Sequence, residues 1–323
     1  MAKKTVSVVL CTHNGERYLR EQLESVVNQT YPIAELIIQD DNSSDATMRI
    51  VEEYAQKYPF VSYKINRPSL GVNQNFLTAL RSAKGDFVAI CDQDDVWELN
   101  KLERQMAEIG DHLMCSSHTK PFSDDGSFAY YDARRPNISL VRLLFASLPG
   151  HSMLVNRKLI SMLPHEKSIT DVLMYDTMLC VTAAAYDSIV YLDDILVHQR
   201  RHSDAVTYTD FARSLPSASN GLYILRWSIR HYREAKPAMK QLLSARKALL
   251  EGLDCDTEVC KEALKIIDAE LTDGSFAYLK LTYLFMKNHK RLFHTAGGGT
   301  IKLCRAALYP IMQMFNYRLC LKK

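Results

Sequence analysis

In the first third of the chain, short β-branched runs alternate with amphipathic helical stretches, and the connections between them are short. "TVSVVLC" reads as a buried strand stopped by "THNG", since an unbroken apolar run of this length between turn residues suits a strand better than a helix. "ERYLREQLESVVNQ" follows with Tyr18, Leu19, Leu23, Val26 and Val27 at helical spacing. "AELIIQD", "FVSYKIN" and "GDFVAIC" are three further strands. "DDNSSDATMRIVEEYAQKY" and "GVNQNFLTALRSA" are the helices between them, with Ser and Asp as N-cap candidates in the first. This alternation predicts an α/β sheet with right-handed crossovers, in which ligands gather outside the carboxyl ends of the strands. Three polar clusters fall at those ends: Thr12–His13–Asn14, Asp40–Asp41–Asn42 and Asp92–Asp94–Asp95.

The last cluster, in "AICDQDDVWELNK", has two physical readings. Asp is favoured at helix starts, so one of the three carboxylates needs no further explanation before the helix expected near Leu99. Three together exceed what capping requires and suit a bound cation. Asp95 is most economically read as helix-start chemistry, and Trp97 as packing beneath the loop. Asp92, Asp94 and Glu103 imitate the spacing of a calcium loop, but Trp97 occupies the position where that loop needs glycine, and a strand precedes it. The first turn, "CTHNGER", has one glycine, so neither the dinucleotide fingerprint nor the Walker phosphate loop is present. A nucleotide bound here would need its phosphates neutralised by Mg²⁺ or Mn²⁺ held on Asp oxygens.

The rest of the chain sets wider limits. With 323 residues and 47% hydrophobic composition, the chain can build one large or two modest domains, and disordered or fibrous classes are excluded. The eight cysteines form no CxxC pair, which points to a reducing cytosol rather than a disulfide or zinc framework. "MAKKTVSVVLCTHNG" reads as a first strand rather than a signal peptide, and no apolar run approaches the roughly 18 residues of a membrane span. Beyond the first sheet, "GHSMLVNRKLISML" suggests strand then helix, "DVLMYDTMLCVTAAAY" a helix, and "SIVYLDDILVHQRRH" two strands about a turn. After Ser214 the pattern is helical. The net charge of +3 is unevenly spread: no acid follows Asp273, while nine of the 40 Lys and Arg do, leaving 31 against 37 acids before that point. A basic, aromatic-rich tail of this kind suits an anionic surface.

The ordered set "VSVVLCTHNGERYLREQLESVVNQTY", "LIIQDDNSSDAT", "LGVNQNFLTAL", "GDFVAICDQDDVW", "YDTML" and "DDILVHQRRHSDAVT" resembles the family 2 glycosyltransferases over roughly residues 5–210, and "DQDDVW" resembles their bacterial rhamnosyltransferase-like members that build surface polysaccharides. The resemblance implies the GT-A fold, a Rossmann-like mixed sheet flanked by helices. It also implies a transferase domain over 1–213, with a donor half to about residue 110 and an acceptor half from 111, and a helical region over 214–323. Implied donor contacts are Thr12, His13, Asn14, Asp41, Asn75, Asp92, Arg200 and Arg201. Asp94 and His202 would hold the metal, Asp176 would be the catalytic base, and Gly150 and His151 would meet the acceptor. Cys11 and His13 stand where the family commonly has proline and tyrosine.

The chemistry implied is an inverting single displacement from a nucleotide sugar, dTDP-rhamnose being the expected donor and a UDP-hexose the alternative, or a silent relative that only binds one. Asp176 would take the acceptor's proton, and Mg²⁺ or Mn²⁺ would stabilise the leaving diphosphate. The expected acceptor is a lipid-linked or polysaccharide glycan, with no nucleic acid as partner. The chain is expected in the cytoplasm, with the tail lying on the anionic inner face of the membrane.

Overall fold

The structure is a computed structural model that describes residues 4–126, 131–202, 218–293 and 299–321. Among these, eight strands form one mixed sheet: β1 (Val6–Thr12), β2 (Glu35–Asp40), β3 (Val61–Ile65), β4 (Phe87–Cys91), β5 (Val96–Trp97), β6 (Met114–Phe122), β7 (Leu154–Asn156) and β8 (Ile189–Arg200). Their order is β3-β2-β1-β4-β7-β6-β8-β5. β1 pairs in parallel with both β2 and β4, as the alternating pattern requires. β7 runs antiparallel to β4 and β6, which makes the sheet mixed. Every residue of β1 and β4 is buried, which is why these strands read as continuous apolar runs rather than alternating ones.

The helices between them follow the apolar spacing. α1 (Leu19–Val27) turns Leu19, Leu23 and Val26 inward; α2 (Thr47–Lys57) buries Ile50, Val51 and Tyr54; α3 (Val72–Ser82) buries Phe76, Leu77 and Leu80. The N-cap of α2 is Ala46 rather than one of the expected Ser or Asp candidates, and Asp45 just before it accepts the backbone N–H of Thr47 at 2.9 Å. The helix expected near Leu99 is α4 (Lys101–Glu108). "SIVYLDDILVHQR" departs from expectation: it is the single strand β8, not two strands about a turn. The parallel register with β6 passes from Leu192 to Ile195 and skips Asp193 and Asp194, so the two acids bulge outward without ending the strand.

Contacts divide the chain into two units, the first made of the described residues of Met1–Ala133, Leu148–Leu163 and Ser188–Arg213. The second joins Arg134–Ser147 and Pro164–Asp187 to the helices after Ser214, so part of the expected acceptor half belongs with the C-terminal region. The expected boundary itself, near Ser214, lies outside the described residues, as do Lys322 and Lys323. The second unit contains α5 (Leu140–Leu143), α7 (Lys167–Thr170), α8 (Tyr175–Ala185), α9 (Ala218–Arg230), α10 (Tyr232–Glu251), α11 (Glu258–Leu271), α12 (Ser275–Lys287), α13 (His289–Leu292) and α14 (Gly299–Met312); α6 (Arg157–Ser161) belongs to the first. An aromatic cluster of Phe145, Phe285, Phe293 and Tyr309 joins its helices, with edge-to-face centroids 5.1–5.6 Å apart.

Candidate active site

Register brings the three polar clusters to one edge of the sheet. Thr12 lies beside Asp40 across β1–β2, and Leu10 beside Cys91 across β1–β4. The residues that follow each strand therefore leave the sheet side by side. The Thr12 hydroxyl donates to Asp40 at 2.8 Å, and Asp40 also accepts the Ser43 N–H at 2.8 Å. Asn14 and Asn42 have φ of 48° and 64°, a left-handed conformation that asparagine tolerates better than most residues. The exposed His13 uses Nδ1 to donate to the Asp41 carbonyl at 2.9 Å. Its backbone exchanges hydrogen bonds of 2.9 and 3.1 Å with the Gln93 side chain, tying this turn to the acidic loop. A Cβ on Gly15 would meet Gln93 Oε1 at 2.2 Å, so the turn needs glycine there to let Gln93 in.

Asp41 is buried and does not cap α2. Its carboxylate accepts from Asn66 Nδ2, the Ser69 hydroxyl and the N–H groups of Leu70 and Gly71, all at 2.5–2.8 Å. Burial works against its charge, but these four donors outweigh it and hold the carboxyl below its ordinary value. Asn75 belongs to the same buried network: its Oδ1 accepts from Asn66 and its Nδ2 donates to the Gln39 carbonyl, at 2.8 and 3.0 Å. Asn66, Ser69 and Gln39 carry no local sequence signal, because their importance comes only from converging on Asp41.

The acidic loop separates its three aspartates. Asp94 Oδ2 faces His202 Nε2 at 2.9 Å. Burial raises the Asp94 carboxyl, repulsion from Asp92 adds to this, and His202 opposes both. Asp95, only 2% exposed, does not cap α4: Oδ1 accepts the backbone N–H of Arg200 at 3.0 Å, and Oδ2 lies 3.3 Å from His151 Nδ1. The helix-start role assigned to it is therefore corrected, since α4 begins six residues later and the side chain points the other way, into the protein. β5 sets this arrangement. Leaving the loop, its two residues pair antiparallel with β8, Val96 to His198 and Trp97 to Val197, which draws the end of β8 across the acids. Trp97 packs beneath as expected, with its backbone N–H on Ser25 Oγ at 3.1 Å.

Gly150 and His151, expected at the acceptor, are both buried, in a 3-10 turn over Gly150–Ser152. His151 is 2% exposed, with Nδ1 3.1 Å from Asp92 and 3.3 Å from Asp95. Burial alone would depress the imidazole, but Asp95 first and Asp92 with it raise it well above its ordinary value, which makes His151 the counter-charge inside the acidic loop. The possible ligand atoms of Asp92, Asp95 and His151 lie within 4.8 Å of one another. His151 neutralises that group itself, whereas Asp94 and His202 sit beside it, and among the described residues His202 Nδ1 is buried without a hydrogen-bond partner. Carboxylate and imidazole together suit Mn²⁺, and the carboxylates alone Mg²⁺.

The two arginines expected at the donor are placed differently. The Arg200 guanidinium bonds Glu21 and Asp124, donates from Nε to the Asp94 carbonyl at 3.0 Å, and lies 4.6 Å from the ring centroids of both Tyr18 and Phe122. Its donors are thus used within the protein, and it fixes the Asp94 backbone. Arg201 is half-buried, and its N–H donates to the Phe122 carbonyl at 2.8 Å. Asp176 belongs to the second unit, in the first turn of α8, where it accepts the Ser147 hydroxyl at 3.2 Å and the Thr177 N–H at 2.6 Å.

Residues 7–161 match the family model described as Glycosyl transferase family 2. An uncharacterized protein of Mycobacterium tuberculosis is 31% identical over 230 residues, a match that takes in 67% of this chain and 65% of that protein. The chain thus spans just under two thirds of that relative's length. The UDP-Glc:alpha-D-GlcNAc-diphosphoundecaprenol beta-1,3-glucosyltransferase WfgD of Escherichia coli is 36% identical over 102 residues, 32% of this chain and 40% of that protein. Among solved structures, TarS 1–349 of Staphylococcus aureus in complex with UDP-GlcNAc superposes with a TM-score of 0.58 at 16% identity, over 98% of this chain and 90% of that one. The mixed sheet, the acidic loop at its carboxyl edge and the family match agree: this chain carries a glycosyl transferase family 2 domain over residues 7–161 and has the GT-A fold.

Proposed function

We propose that this protein is an inverting, metal-dependent glycosyltransferase that moves a sugar from a nucleotide diphosphate to a hydroxyl of a lipid-linked or polysaccharide acceptor. The observation that carries the reading is the Asp94–His202 pair at 2.9 Å beside Asp92, at the carboxyl edge where nucleotides bind in such sheets. Thr12, His13, Asn14 and Asp41, with Asn75 behind Asp41, form the donor's nucleotide side, and Asp92 faces its ribose or sugar. Asp94 and His202 would hold a divalent ion, which would supply Lewis-acid stabilisation of the leaving diphosphate. Asp176 takes the proton from the acceptor hydroxyl. Arg200 keeps Asp94 in place, and His151 stops Asp92 and Asp95 from repelling one another apart. Peripheral association with an anionic membrane is part of the same reading.

The donor is dTDP-rhamnose in the reading drawn from "DQDDVW". A UDP-hexose is the second reading, favoured by the UDP-Glc of the similar WfgD and the UDP-GlcNAc bound in the TarS complex. Hydrolysis of a panel of nucleotide sugars, with Mg²⁺ or Mn²⁺ and with chelator, decides between them. One donor should be turned over in a metal-dependent way, and Asp94→Ala should reduce that turnover by at least about 10²-fold. A panel that gives no turnover with any donor, or an Asp94→Ala protein as active as the wild type, would refute the reading.

A further inference from the structure

α12 has two apolar faces, and only one of them is used inside the second unit. Ala277, Leu281, Leu284 and Phe285 are buried. Phe276, Leu279, Tyr283 and Met286 recur at the spacing of a second stripe and point outward, with Phe276 83%, Leu279 66% and Tyr283 65% exposed. α14 packs against α12, with the Phe285 and Tyr309 rings 5.1 Å apart. It repeats the pattern, burying Ala306, Tyr309 and Pro310 and exposing Ile301 and Leu308. Exposed apolar residues scattered singly are ordinary, but aligned at helical spacing on two neighbouring helices they mark an interaction surface.

The charges that α12 and α14 themselves carry are of one sign. Lys280 follows Phe276 by four residues, Lys287 follows Tyr283 by four and Arg305 follows Ile301 by four, so each borders its stripe. Lys287 is partly engaged by Glu262 at 3.0 Å, yet all three remain exposed. From Gly274 onward the sequence contains no acid; of the acids contributed by neighbouring elements, Glu262 is paired with Lys287 and the exposed Asp273 with Lys236 and Lys240. Aromatic and aliphatic side chains on one helix face, rimmed by lysine and arginine, are the composition of a helix lying in a bilayer interface. We propose that the outward stripes of α12 and α14 dock this protein on an anionic lipid bilayer, with the apolar side chains entering the headgroup region and the basic rim meeting lipid phosphates. This deepens the lipid-linked-acceptor reading, which it would place at the membrane surface, but it is testable without any sugar transfer.

The test is flotation of the full chain with vesicles of phosphatidylcholine alone and of phosphatidylcholine with phosphatidylglycerol. The wild type should float with the anionic vesicles, lose that binding as salt is raised, and remain behind with phosphatidylcholine alone. Phe276→Glu with Tyr283→Glu should reduce anionic-vesicle binding by at least about tenfold, and Lys280→Glu should lower it and flatten its salt dependence. Both variants change exposed side chains, so donor hydrolysis should equal that of the wild type. Vesicle binding by a protein that hydrolyses no donor would keep the docking surface while removing the enzymatic reading. The proposal is overturned if the wild type does not float, if the variants float as well as it does, or if these residues instead hold a dimer that the double variant dissociates.

Discussion

At the residue scale, His151 shows how burial changes a side chain's task. Outside the fold it would be one histidine among ten; here it is the counter-charge for two carboxylates, one of which, Asp95, is 2% exposed. Removing one partner of a buried pair leaves the other without its counter-charge, a loss larger than the modest worth of a surface pair. Burial raises the Asp95 carboxyl to about 7 even beside His151, so without the imidazole it takes up a proton rather than standing charged; His151→Ala should therefore lower the free energy of unfolding by about 1–3 kcal/mol at neutral pH, and adding Asp95→Asn should return much of it. Denaturant melts of the two single variants and the double variant measure this, and a His151→Ala protein as stable as the wild type would refute the role. Legibility at this scale was mixed. The three aspartates stood out because acids crowd a strand end. The partnership of Asp95 with His151 spans 56 residues, and no local spacing encodes it.

At the element scale, α4 carries an unusual lysine. Lys101 is fully buried, donates to Gln105 Oε1 at 2.8 Å, and sits 4.0 Å from the Trp97 ring centroid. Among the described residues no carboxylate pairs with it, and burial lowers it from 10.5 to about 7. Between those two values the unfolded chain binds the proton and the folded chain does not, so stability should rise with pH across that window. The slope should approach about 1.4 kcal/mol per pH unit. Below about 7 both states are protonated and the slope from this group vanishes. Lys101→Met should remove the rise and stabilise the protein near neutrality; parallel pH profiles of the two proteins would show otherwise. Helix and strand positions were largely readable here, because apolar spacing reports which side faces the core. The two-residue β5 was not readable. A strand that short is defined by its partner β8, and it is this pairing that brings His202 to Asp94.

At the scale of the whole molecule, the acidic loop and the proposed base come from different compact units, Asp94 from the first and Asp176 from the second. Donor binding and proton transfer should therefore separate on mutation. Asp176→Asn should leave the Kd for the donor unchanged and slow transfer by about 10²–10⁴-fold. Single-turnover kinetics with equilibrium donor binding test this; a lost donor affinity with normal chemistry would move Asp176 out of the base's role. The unit boundaries were only partly legible. Composition marks the helical C-terminal region, but nothing local tells that Arg134–Ser147 and Pro164–Asp187 join it, since that depends on which apolar faces find each other in space.

The sequence by itself determined the alternating α/β order, the parallel core of β1, β2 and β4, and the acids at its carboxyl edge, because periodicity and strand-end polarity are local and survive any packing. Within "AICDQDDVWELNK" it marked three crowded acids, and only the family resemblance picked Asp92 and Asp94 from among them. Only the tertiary structure decided that Asp95 is a buried anchor for β8 and His151, that Arg200 serves the Asp94 backbone, and that the outward stripes of α12 and α14 have no cover among the described residues. Each of these rests on burial and on partners far apart in the chain. Burial sets the cost of a charge, and partners decide whether that cost is met; neither is written in the spacing of neighbouring residues.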